Sequence, residues 1–102
     1  MSNAVLYISF KLRSGASVED FLLAAEKLNN EYISKQKGFI SWKQVRDGKT
    51  WADIITFETM EDLNNFKEAS RTPNEFSKKF FSYLTRNPFA FKMHAFTIEK
   101  SY

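Results

Sequence analysis

Residues 39–57 read FISWKQVRDGKTWADIITF, two apolar-rich runs around Asp47-Gly48, and this stretch decides the architecture. An Asp-Gly dipeptide suits the positive φ angles of a tight hairpin turn, so 39–46 and 51–57 are predicted as antiparallel neighbouring strands. Strands joined so tightly pair directly. What flanks the hairpin must then supply the rest of a sheet and the helices that cover it.

On the N-terminal side, Gly38 can supply a left-handed turn after a helix whose stripe is Val18, Phe21, Leu22, Ala25, Leu28 and Tyr32. Ser17 followed by Asp20 reads as its capping box, and the helix is expected to run to about residue 35. Before it, residues 4–12 alternate, with Leu6, Ile8, Phe10 and Leu12 on one side and Val5, Tyr7, Ser9 and Lys11 on the other. That is a strand.

On the C-terminal side, Thr59 with Asp62 is a second capping box, opening a helix with Leu63, Phe66 and Ala69 on its stripe. Thr72-Pro73-Asn74-Glu75 reads as a third, with proline at the first helical position of a helix carrying Phe76, Phe80, Phe81 and Leu84. Asn87-Pro88 ends that run. A last strand over about 91–99 completes an α+β, ferredoxin-like βαββααβ order with a four-stranded antiparallel sheet. Right-handed crossovers put both helical segments on one face, so the opposite face, with its mixed apolar rows, needs water, nucleic acid or another sheet.

The chain of 102 residues suits one domain over 1–102, since half of it would be too small for its own core. It has no cysteine, so no disulfide or thiolate metal site can form, which points to the cytoplasm. No run reaches the ~18 apolar residues of a membrane span, and no leader-like start is expected. The net charge of +3 is mild and the signs are interspersed, which gives no reason to expect nucleic acid. Aromatic residues make up 17% of the chain, enough for a core plus a pocket or an interface.

Leu6-Tyr7-Ile8-Ser9 resembles the start of the RNA-recognition hexamer, but Phe10 and Lys11 break that pattern. Asp53 also stands where a ring would stack on a base. The broader resemblance is carried by Gly38-Phe39-Ile40, Asp47-Gly48, Trp51-Ala52-Asp53-Ile54, Phe57-Glu58-Thr59-Met60-Glu61-Asp62, and Lys92-Met93-His94-Ala95-Phe96. These segments are similar to the antibiotic-biosynthesis monooxygenase-like family of the dimeric α/β barrel superfamily. The resemblance implies a homodimer with sheets face to face and a pocket between each sheet and its own helices. It also implies oxygenation of an aromatic or quinol-type small molecule without a cofactor. Haem-degrading members of the superfamily hold iron through a histidine on the second crossover, and residues 59–84 contain none.

His94 is the one side chain whose ordinary pKa lies near neutrality, which makes it a candidate base, with Asp53 as its support or a base itself. The competing readings place His94 at a dimer interface or sheet edge and Asp53 in an ion pair with a lysine or arginine. Trp42, Trp51, Tyr7 and Tyr83 are the candidate pocket walls, or else core and interface residues. One histidine, no cysteine and scattered carboxylates give no metal-ligand spacing. The expected function is thus a cofactor-independent monooxygenase-like protein, or a non-catalytic ligand-binding or dimerisation module of the same fold.

Overall fold

The computed structural model describes residues 2–102. Its elements are β1 (Ala4–Lys11), α1 (Val18–Glu31), β2 (Phe39–Asp47), β3 (Thr50–Phe57), α2 (Met60–Ala69), α3 (Glu75–Phe81) and β4 (Lys92–Thr97). Short 3₁₀ turns lie at Ile33–Lys35 and Pro88–Ala90. The strands form one sheet in the order β2-β3-β1-β4, every neighbouring pair antiparallel, so each helical crossover joins parallel strands that flank a third.

The hairpin register follows from its turn. Asp47 faces Thr50 across Gly48, whose φ is 60°, and the pairs run back from there as Arg46–Trp51, Val45–Ala52 and Gln44–Asp53. A bulge at Ile40 shifts the register near the start of β2. Gly38 is constrained twice over: its φ is 80°, and a β-carbon there would collide with the Asp62 carboxylate at the start of α2.

One helical expectation is corrected by the third capping box. Asn74, not Thr72, caps α3: its Oδ1 accepts from the Ser77 N–H at 2.8 Å, and Ser77 Oγ accepts from the Asn74 N–H at 3.0 Å. Proline favours an extended residue before it, and asparagine is as good a cap as any, so the helix starts one residue after Asn74 and Pro73 lies outside. α3 also stops at Phe81, leaving Leu84 to bridge Leu12 beside β1. The first helix ends at Glu31 because Tyr32 leaves helical geometry, after the weak helix formers Asn29 and Asn30. A 3₁₀ turn then carries Ile33 into the core.

The core lies between the helices and one sheet face, centred on Phe21 of α1. Its ring packs against Phe10 (5.8 Å between centroids), Trp51 (5.2 Å) and Phe80 (5.1 Å), joining both crossovers to the central strands. The other face carries Val5, Tyr7, Ala52, Ile54 and Phe96, and within one chain Tyr7 is 38% and Phe96 52% exposed. No helix among the described residues is long and apolar enough to cross a membrane.

Candidate functional site

A cavity of about 510 Å³ opens between the covered face of the sheet and the helical layer. Leu6 and Ile8 of β1, Ile55 of β3 and Met93 of β4 form its floor, and Phe66, Phe80 and Phe81 wall it from the helices. Polar groups gather where α2 hands over to α3, with Asn64, Lys67, Ser70 and Arg71 at the rim. Arg71 there pairs with Glu68 at 3.5 Å, both well exposed.

Into this apolar floor the sheet sends one carboxylate. Asp53 shares a cross-strand row with Gln44, Ile8 and Met93, so alternation along β3 turns it toward the helices. It is only 3% exposed. Gln44 Nε2 donates to its Oδ1 at 3.1 Å. Among the described residues no lysine or arginine pairs with it, and its orientation away from the outer face rules out an ion pair across a sheet-to-sheet interface. Burial penalises the ionised form and pushes the carboxyl up from 3.8 to about 6, while Gln44 and Trp42 pull it part of the way back. Trp42 is the diagonal cross-strand neighbour of Asp53, and its indole N–H favours the anion. It stays outside full hydrogen-bond geometry, and it is buried without another partner.

Of the six residues singled out in the sequence, Asp53 and Trp42 line the cavity. Trp51 and Tyr83 lie in the adjoining core, both packed on Phe21, with Phe80 between that aromatic group and the cavity. Arg46 sits over the Trp51 ring at 5.0 Å, and Arg13 and Lys79 over Tyr83 at 5.7 and 5.5 Å. Tyr7 and His94 face each other across β1 and β4 on the outer face.

The expected His94–Asp53 pair is therefore not formed. Ile8 is opposite both Asp53 and Met93, so His94, one residue on, must point the other way; its ring instead meets Phe96 edge-on at 5.5 Å. Gln44 was not among the residues singled out. The turn is Gly48-Lys49, closed by Asp47 and Thr50, and counting back from it pairs 44 with 53, whereas a two-residue turn made of Asp47-Gly48 would have paired 44 with 51.

No family model matches the sequence, and no curated protein matches it. The likeness appears in three dimensions. SnoaB, a cofactor-independent oxygenase from Streptomyces nogalater, superposes with a TM-score of 0.73 at 12% identity, over 99% of this chain and 97% of its own. A candidate antibiotic biosynthesis monooxygenase from Bordetella bronchiseptica gives 0.76 at 12% identity, with all of both chains covered. A similarly described protein from Nitrosomonas europaea gives 0.68 at 11% identity, over 96% of this chain and 91% of its own. The chain has the ferredoxin-like α+β fold of the antibiotic-biosynthesis monooxygenase-like proteins.

Proposed function

We propose that this chain is a cofactor-independent monooxygenase acting on an aromatic or quinol-type small molecule, with Asp53 as its base. The observation that carries the reading is a buried carboxyl, shifted toward neutrality, in an apolar cavity of about 510 Å³. Such a group takes a proton from a bound hydroxyl near neutral pH more readily than an ordinary surface carboxylate. The likeness to a cofactor-independent oxygenase supports the same chemistry.

In this reaction Asp53 accepts the hydroxyl proton and the resulting electron-rich anion meets dioxygen in a dry pocket. A quinol and one dioxygen give a hydroxylated quinone and one water, so the substrate supplies all the electrons. Trp42 forms a wall for the ring, and Trp51 and Tyr83 support that wall from the core.

The mixed apolar outer face supports a homodimer with the two sheets packed together, His94 and Tyr7 then lying at the interface. Oxygen uptake with a panel of hydroquinones tests the catalytic reading, using the native protein, Asp53→Asn and His94→Ala. Uptake by the native protein that falls at least tenfold in Asp53→Asn and persists in His94→Ala is expected. Equal rates in Asp53→Asn would remove the base, and saturable binding without uptake would make the chain a ligand-binding module instead.

A further inference from the structure

The cavity floor contains a buried donor without a partner beside a buried carboxylate. Trp42 and Gln44 lie two residues apart on β2, so both side chains rise from the same face of the sheet. Gln44 is directly opposite Asp53 and Trp42 is the diagonal neighbour, within reach of a long aromatic side chain. Gln44 occupies Oδ1 of the carboxylate, and no hydrogen bond to Oδ2 is present among the described residues. The Trp42 N–H is buried and unpartnered, a state that ordinarily destabilises the fold.

We propose that Trp42 is a positioning residue acting through Asp53: when the carboxyl ionises, the indole N–H closes onto Oδ2, and with the Gln44 amide it forms a two-donor cradle holding the anion toward the cavity. The inference rests on the reading of Asp53 as the base, because the cradle matters only if that anion is the working form. In the rest of the cavity lining, Ile8 of β1, Met93 of β4, and Phe80 and Phe81 of α3 are apolar. The uncharged polar groups, Tyr32, Asn64, Ser70, Thr72, Asn74 and Ser77, come from the helices and their connections and make no hydrogen bond to Asp53. The charges lining the cavity, Lys67, Glu68 and Arg71, come from α2 and the turn after it. The cradle would keep the base ionisable in a pocket dry enough for its chemistry, and Trp42 would couple the shape of the wall to the protonation of the floor.

The test needs no ligand. The Asp53 carboxyl carbon and the two indole N–H groups of the folded protein are followed by NMR across the pH range. The Trp42 indole signal is expected to move downfield with the midpoint of the Asp53 titration, while that of Trp51 does not follow it. In Trp42→Phe, which keeps an aromatic ring and removes the donor, the Asp53 midpoint rises by about one pH unit. In Trp51→Phe it stays put. A Trp42 indole signal that ignores the Asp53 titration, or an unchanged midpoint in Trp42→Phe, overturns the cradle. If Trp42→Phe does not fold, the wild-type titration decides alone. Failure of every hydroquinone to support oxygen uptake would remove the proposed reaction while leaving this titration intact, so the two failures are distinguishable.

Discussion

An acid whose pKa rises from 3.8 to about 6 on folding binds its proton more tightly in the native chain than in the unfolded one. Between those values the folded state holds more protons, so the Asp53 contribution to stability is full below about pH 4 and is lost as the pH rises through about 6. Asp53→Asn keeps an acceptor for Gln44 and removes the charge. It is therefore expected to be more stable than the native protein by about 2–3 kcal/mol at pH 8 and nearly equal to it at pH 4, as read by urea unfolding at each pH. An equal difference at both pH values would mean that the carboxyl is not shifted. The orientation of Asp53 was half legible in the sequence, since Trp51, Asp53, Ile55 and Phe57 form one alternating row. That of His94 was not, because Lys92, His94 and Phe96 alternate with Met93, Ala95 and Thr97, and neither row is apolar enough to mark an inside.

At the scale of elements, the cavity depends on a short helix. α3 has seven residues, less than an isolated helix needs to persist, yet it supplies Phe80 and Phe81 to the wall. The reciprocal Asn74–Ser77 cap satisfies donors that its few turns cannot satisfy internally. Asn74→Ala is expected to cost about 1 kcal/mol in denaturant unfolding and to speed amide exchange in α3 well before α1 responds. Uniform exchange across both helices would show that the cap does not hold α3 separately. Helix positions were readable from capping residues and apolar spacing. The start of α3 was misplaced by Thr72-Pro73, which imitates a cap and first turn, although Asn74 and Ser77 satisfy the hydrogen bonds better.

For the whole molecule, the two faces of the sheet divide the work. Alternation sends Leu6, Phe10 and Asp53 to the helices and cavity, and Val5, Tyr7 and Ile54 to the uncovered side. Tyr7→Lys places a charge in the middle of that side without touching the cavity lining. A homodimer is expected for the native protein in sedimentation and a particle near the 12.0 kDa of one chain for Tyr7→Lys, with hydroquinone binding retained. A native protein that sediments as one chain at every concentration would leave the outer face without its proposed partner. This division was legible from the order of elements, because crossover handedness covers only one face. The place of the cavity was implied by the family resemblance, but its volume was not legible, since that depends on how far α2 and α3 stand off the strands.

β4 pairs with β1 alone, and all six of its residues are exposed in the single chain. An edge so loosely specified is open to slippage, and a slip of one position inverts every side chain it carries. Losing one codon in the segment between Asn87 and Phe91 would exchange the thioether of Met93 for an imidazole in the row of Asp53. This scaffold is thus one reading-frame-preserving step from an imidazole on the same face as its buried carboxylate, with Ile8 between them, a short evolutionary route to different proton chemistry on an unchanged backbone.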